Sequence, residues 1–496
     1  MSVPTVVVVG AGPTGLALAC GLSMAGVSVR VIDRAERPST TSRALGLQPR
    51  GSEVLDRLGA FDGLPERSIR VAEFVTHVKG KCLVRLKVGA HAKLTSHPVL
   101  VNSQAAVEAR LRCRLSELGV EVEWRQELTG AVQDADGVTL HLNGGTVRTR
   151  WLVGCDGAHS RVRKLAGIEF AGALVADGFL LADVRASLPL RRDVVSAWLH
   201  DGGMFGVFPL PGRDVWRLVA SAGGESAASP TARTVWEQAL RDHAGVDVPE
   251  GWDALWSSSF RIHRRLATRY RCGRILLAGD SAHVHSPFGG QGMNTGLGDA
   301  ENLAWKLALA ASGRARDPLL DTYEAERRPA AREVVAATSG LTRLAAGNNF
   351  LVRAARERVL APLLTLPRVQ RLVWEKSSQL TTSYRNGPLG GRFRKLGPGT
   401  GPRAGDRVPD LPCTKEDGER TRLHHELGPR WAVVASDARG RVFVDIARRR
   451  LGDTAVTSLA DPEGGRSTWL VRPDGHLGWS GTSPASLDTW LARMLG

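Results

Sequence analysis

The sequence lacks paired cysteines. Its six cysteines stand at positions 20, 82, 113, 155, 272 and 413, and no two form a Cys-x-x-Cys pair. That spacing argues against a dithiol active site, a zinc ribbon and a disulfide framework, and no metal site is expected. Long apolar runs are also missing. Residues 5–22 come nearest, but Gly10, Gly12, Pro13 and Gly15 interrupt them and no basic segment precedes them. A membrane span needs about 20 uninterrupted apolar residues, so the chain is expected to be soluble and cytoplasmic, with no membrane partner. Blocks of like charge are short. The net charge is +16, yet arginine is spread along all 496 residues and its longest run is Arg448-Arg449-Arg450. Nucleic acid is therefore not an expected partner. A diffuse positive surface suits an anionic nicotinamide cofactor or an acidic substrate instead. A chain of this length is expected to form about three domains.

What is present begins with Thr5-Val6-Val7-Val8-Val9, a β-branched run that reads as a buried parallel strand. It leads into Gly10-Ala11-Gly12-Pro13-Thr14-Gly15 and then a helical pattern of Leu16, Ala19, Leu22 and Ala25. Gly10 permits a tight turn, Gly12 lets a pyrophosphate approach the backbone, and Gly15 lets the helix pack on the strand. The diphosphate is expected at the helix N-terminus, where unpaired N–H groups and the dipole favour negative charge. Pro13 and Thr14 lie inside this loop and are assigned to the cofactor with it. A second strand, Ser28–Ile32, ends at Asp33, 18 residues beyond Gly15. Asp33 is expected to accept hydrogen bonds from an adenosine ribose, and Arg34 beside it is placed in the same site.

A second constellation lies far downstream. Arg274–Ala278 reads as another buried strand, closed by Gly279-Asp280. An acid at a strand's carboxyl end lies where open α/β sheets bind ligands, and Asp280 is expected to hold a ribose hydroxyl. Ser286-Pro287-Phe288-Gly289-Gly290-Gln291-Gly292 carries little side chain and is suited to lie against a flat ring. Pro287, Gly289, Gly290 and Gly292 form the expected ring environment. Met293-Asn294-Thr295 opens a long helix through Gly298, Ala300, Leu303, Ala304, Leu307 and Ala308. Its first N–H groups are expected to stabilise negative charge on a ring.

The segment GDSAHVHSPFGGQGMNTGLGDAENLAWKLA at 279–308 resembles the flavin-binding segment of the class A FAD-dependent aromatic hydroxylases, whose fold is that of para-hydroxybenzoate hydroxylase. Trp151–Arg163, with Asp156-Gly157 at its centre, resembles that family's strand-end motif associated with both FAD and NAD(P)H. Ser42–Leu47 resembles the stretch whose arginine, here Arg43, lies near the flavin pyrophosphate; its alternative is an arginine capping the next helix. Gln104 matches a glutamine that contacts the cofactor in relatives, or is an exposed helix-start residue. The resemblance implies an α/β fold: a Rossmann-like FAD-binding domain of the glutathione-reductase type, an inserted and mostly antiparallel β-sheet substrate domain, and a C-terminal thioredoxin-like α/β domain.

The implied layout assigns residues 1–72, 100–173 and 270–345 to the FAD-binding domain, and 73–99 and 174–269 to the substrate sheet. A helical connection follows at 346–386, a linker at 387–405, and the tail at 406–496. Phe179–Val184, Val194–His200, Gly206–Leu210 and Val215–Ala220 read as strands, with Phe74–Val88 adding more. Phe205, Phe208 and Trp216 are read as lining a cleft or as sheet core. Helix is expected from Pro329 onward, through Val334, Leu341 and Leu344 and then 350–375. In the tail, Trp431–Ala435, Val442–Asp445 and Trp469–Val471 read as strands, and Leu470–His476 resembles the thioredoxin-like domain of the polyketide-tailoring branch. Cys413 is isolated, so the tail is expected to be structural or dimer-forming, without thiol chemistry.

The resemblance implies that NADPH or NADH, bound transiently, reduces FAD. O2 then adds to give a flavin C4a-hydroperoxide that hydroxylates an aromatic, polycyclic polyketide-type substrate in antibiotic or secondary-metabolite biosynthesis. His200, His283 and His285 are candidates for a base near the substrate. Baeyer–Villiger or epoxidising oxygen insertion is the nearest alternative, followed by a flavin reductase and a non-catalytic FAD scaffold. Residues 150–270 contain no WxWxIP element, which ranks a flavin halogenase low.

Overall fold

A computed structural model describes residues 3–41, 44–78, 80–88, 94–200, 203–221, 233–247, 252–285, 290–346, 361–390, 401–436, 440–461 and 467–496. The valine run forms the strand Val6–Val9, buried at every residue. It is central because it pairs in parallel with Val29–Ile32 on one side and Trp151–Gly154 on the other. The sheet extends through Ile275–Leu277 to Arg271–Cys272 at one edge and ends at Val122–Glu123 at the other. The helix Pro13–Met24 packs against both Gln104–Glu117 and Gly292–Ala311. Burial of the strand between such layers explains why its residues do not alternate with polar ones. Ser103 caps Gln104–Glu117 by accepting a hydrogen bond from the Ala106 N–H.

A second sheet has eight strands, in the order His283–Val284, Asp253–Ala267, Phe170–Arg185, Val215–Ser221, Gly203–Pro209, Val194–His200, Glu73–Val78 and Lys81–Lys87. All neighbours are antiparallel except Val194–His200 with Glu73–Val78. Alternation gives this sheet two different faces. One carries Leu180, Ala182, Val184, Trp198, Phe205, Trp216 and Leu218, packed with Trp236 and Leu240. On the other, Val195, Phe208, Leu210 and Val215 meet Leu45, Val99 and Val101.

The tail builds a six-stranded sheet in the order Arg420–Arg422, Pro412–Lys415, Val456–Ala460, Trp431–Ala435, Thr468–Val471, Leu477–Gly481. Two expectations are corrected here. Val442–Asp445 is not a strand but part of the helix Gly440–Leu451. Phe443, Val444, Ala447 and Leu451 are buried while Val442 is 51% exposed, so the helical period outweighs the β preference of the valines. The helix expected from Pro329 starts earlier, at Pro318, and runs to Ala346 with Pro329 inside it. Tyr323, Glu326 and Arg327 are buried one to two turns before the proline, and this packing offsets an interior proline's cost of roughly 3 kcal/mol. Among the described residues no helix is long and apolar enough to cross a membrane, and no group of three His, Cys, Asp or Glu is placed to hold a metal ion.

Candidate functional site

The three motif regions meet at the carboxyl ends of the parallel strands. Gly10 has φ +106°, and a Cβ there would collide with the carbonyl of Cys155. A Cβ on Gly15 would collide with the Gly10 carbonyl, so this glycine serves close helix–strand packing. Gly12 differs: a Cβ there would meet no atom within 4 Å. The helix after it has no side-chain cap and no acid in its first turn. Its N-terminal donors and dipole are thus left for an anion from outside the chain, which is the fit a dinucleotide pyrophosphate requires. Asp33 orders the same loop, accepting from Ala11 N at 2.7 Å and Ala35 N at 2.8 Å. Arg34 is exposed.

Asp156 holds its own local structure together. It accepts from Ser160 Oγ at 2.5 Å, Arg161 N at 2.6 Å and Val162 N at 3.1 Å. Its carboxylate caps the short helix Arg161–Leu165. Its backbone, next to Gly10, forms the wall of the crevice, and Gly157 follows with φ +78°. Gln104 opens its helix and donates to Glu108 at 2.8 Å.

Gly279 has φ +63° and stands against the side chain of Thr14, which joins the downstream loop to the first one. Ser281 Oγ donates to Gly154 O at 2.6 Å, fixing the same loop to the central sheet. Asp280 is open to solvent at its tip. Surrounding protein nevertheless raises its carboxyl above the usual range; His283 opposes the shift and Asp299 adds to it. An exposed carboxylate at a strand's carboxyl end is placed to accept hydroxyl donors from a ligand. Behind this loop lies a residue the sequence reading missed. Asp299 is fully buried and accepts from Gly279 N at 3.0 Å, His283 Nε2 at 2.7 Å and Arg327 Nε at 2.7 Å. Its signal was an acid on the inner side of an apolar helix.

Asn294 is buried and bridges two backbone segments. It donates to Gly46 O at 2.9 Å and Gly290 O at 2.7 Å, and accepts from Gln48 N at 2.9 Å. Its side chain therefore shapes the loop, and only its backbone remains for a ligand. Gly290 has φ +61° and approaches Gly46, where a Cβ would stand 3.5 Å from the Gly290 Cα. Gly292 starts the helix Gly292–Ala311, and Met293 is 7% exposed. Arg43, Pro287 and Gly289 lie outside the described residues.

The second sheet joins the downstream loop through its edge strand, His283–Val284. Phe205 and Trp216 are on its far face, in the core under Trp236, so they line no cleft here. Phe208 is on the near face. Phe179 and Met204 pack there with Ala197, Leu199 and Val219. A polar pair that was not anticipated sits among them: Arg217 donates twice to Asp183, at 2.6 and 2.8 Å, directly across neighbouring strands. Of the histidines considered as bases, His283 is 1% exposed and committed to Asp299. His200 stacks on His243 at 4.0 Å, on the far face. His285 is the one beside the helix start, with its ring 3.8 Å from where a Gly292 Cβ would stand.

Residues 4–338 match the family model of an FAD binding domain, and residues 401–496 that of the aromatic-ring hydroxylase C-terminal domain. The chain belongs to the FAD-dependent aromatic-ring hydroxylases. As a whole this hydroxylase is 36% identical over 513 residues to the 6-methylpretetramide 4-monooxygenase of Streptomyces rimosus, covering 96% of this chain and 91% of the relative. It is also similar to the solved anhydrotetracycline hydroxylase of Streptomyces rimosus, with 33% identity, a TM-score of 0.78, and 100% and 98% of the two chains covered. A ternary complex of aklavinone-11 hydroxylase with FAD and aklavinone matches at 27% identity and TM-score 0.80, over 99% of each chain. The hydroxylase is an FAD-dependent monooxygenase with an α/β fold and mixed sheets.

Proposed function

We propose that this monooxygenase hydroxylates a polycyclic, polyketide-type aromatic compound, using NADPH or NADH as a transient reductant and O2. The observation that carries this reading is the convergence of Gly10–Gly15, Cys155–Gly157 and Gly279–Asp280 at the carboxyl ends of the parallel strands. We assign the FAD pyrophosphate to Gly12 and the start of the helix Pro13–Met24, with Pro13, Thr14 and Gly15 in contact range. Asp33 and Asp280 take ribose and ribityl hydroxyls. The ring is given to Gly290, Gly292 and the first N–H groups at Met293 and Asn294, with Pro287 and Gly289 completing it and Arg43 near the diphosphate. The chemistry that FAD supplies there is activation of O2 and transfer of one oxygen atom to the substrate.

The chain's own residues bind, orient and exclude water. Phe179, Leu181, Met204 and Val219 offer an apolar surface for a flat ring system, and the Arg217–Asp183 pair offers one polar anchor to a phenolic or quinone oxygen. Relatives act on 6-methylpretetramide and rifampicin by name, and a structural neighbour holds aklavinone, which supports a fused-ring substrate. The boundaries proposed are those of an FAD domain with an inserted sheet and a thioredoxin-like tail, in a cytoplasmic protein that forms a homodimer. The tail's only cysteine, Cys413, is buried and its thiol is pushed up to about 12 by burial, which supports a tail without thiol chemistry.

The test is NADPH oxidation by the yellow protein with and without polycyclic phenols under labelled O2. Substrate-stimulated oxidation with one labelled oxygen on a ring carbon is expected. Ring expansion to a lactone indicates Baeyer–Villiger insertion, and unstimulated oxidation without incorporation rejects the monooxygenase reading.

A further inference from the structure

The flavin loop is joined to the tail by a line of buried hydrogen bonds, ion pairs and ring contacts. Asp299, which holds Gly279 N and His283, is neutralised by Arg327. Arg327 also donates to Thr295 O at 2.9 Å, in the first turns of the ring-side helix, and to Tyr384 Oη at 2.9 Å. Gly298 leaves room for this guanidinium; a Cβ there would stand 3.0 Å from it. Tyr384 lies against the ring of His476 at 4.3 Å, and the Arg472 guanidinium sits 5.3 Å over its ring. Arg472 makes a two-pronged contact to Glu326, at 2.8 and 2.9 Å, and binds Asp474. Glu326 and Arg327 are neighbours on one helix: the first grips the tail and the second grips the flavin loop.

Every side chain in this line is under 5% exposed. Buried charges persist only where each is paired and hydrogen-bonded, so the geometry of each member depends on the next. A tail needed only for solubility or assembly has no use for such a seam.

We infer that the turn Arg472–His476 of the tail is a positioning element for FAD, acting through Tyr384 and Arg327 on the Gly279–Asp280 loop and the ring-side helix start. This rests on the assignment of that loop to FAD. Tyr384, Arg327 and Arg472 touch neither flavin nor substrate; they set where Asp280 and the helix N-terminus stand.

The experiment uses the full-length protein, stripped of flavin and titrated with FAD, together with the midpoint potential of the bound flavin. Tyr384→Phe removes one hydroxyl and keeps the ring; Arg327→Lys keeps charge and loses the fork. Both are expected to weaken FAD binding roughly fivefold or more, as loss of one buried hydrogen bond does, and to shift the potential. Asp280→Ala reports on the loop assignment itself. Leu487→Ala, an apolar truncation in the tail core that removes no hydrogen bond of the seam, reports on tail stability. Wild-type FAD affinity and potential in Tyr384→Phe and Arg327→Lys, with loss of FAD in Asp280→Ala, overturn the positioning role and leave the loop assignment standing. Wild-type affinity in Asp280→Ala overturns both. Equal effects in Leu487→Ala and Tyr384→Phe reduce the seam to general stability and also overturn the proposal.

Discussion

The hydroxyl of Thr14 fills the place where a Cβ on Gly296 would stand. Two motifs almost three hundred residues apart in sequence are thus pressed together at the crevice. Gly296→Ala is expected to destabilise the flavin-free protein by ~1–3 kcal/mol through overpacking. Thr14→Ala in the same chain removes the obstruction and is expected to recover most of the loss. Thermal unfolding of the two single variants and the double variant checks this; additive losses would place the helices further apart than described.

Asp280 stands exposed at the carboxyl end of the strand Ile275–Leu277. Asp280→Ala is expected to cost FAD binding ~1–3 kcal/mol, the range for a buried hydroxyl left without its partner. Flavin content after gel filtration measures it, and near-stoichiometric flavin would remove Asp280 from the ribose role.

The Asp183–Arg217 pair is nearly enclosed, with side chains 18% and 2% exposed. Asp183→Ala is expected to cost roughly 3 kcal/mol, because it removes the carboxylate that pairs with a buried guanidinium. Replacing both with apolar residues of similar size is expected to restore stability and to raise the KM for a phenolic substrate. Urea unfolding and steady-state kinetics separate the two effects. Unchanged KM in the stable double variant would count against the pair as substrate anchor.

Acid is expected to loosen the tail. Burial holds the His424 pKa below that of a free histidine, with Glu53 opposing and Arg57 and Arg407 adding to the shift. His476 is lowered as well, chiefly by burial. The unfolded chain therefore binds protons near pH 6.5 that the folded chain refuses. Stability is complete above that pH and falls as pH drops below it toward each folded-state pKa, by at most about 1.4 kcal/mol per pH unit for each histidine. Denaturant midpoints from pH 7.5 to 5 test the slope, and His424→Gln is expected to flatten it.

Local chemistry made much of this protein readable in advance. A β-branched run, glycines at fixed spacing and an acid after the next strand specify a dinucleotide crevice, because turn geometry and close packing admit few other residues. The strand Val194–His200 was legible because its alternation and bounding turns are local. Val442–Asp445 misled because a short valine-containing stretch reads the same for either period until its neighbours bury one side.

The sequence by itself determined the cofactor class, the central parallel strands and the lack of Cys-x-x-Cys pairs, since each rests on residue type and spacing along the chain. Only the tertiary structure decided which face of the second sheet turns toward the crevice, and so that Phe205 and Trp216 are core while Arg217 looks inward. It likewise decided that His283 is a partner of Asp299 and that Arg472 of the tail pairs with Glu326, next to Arg327, the partner of Asp299. Those relations depend on contacts between segments tens to hundreds of residues apart, where burial, which no local pattern encodes, determines the role of each charge.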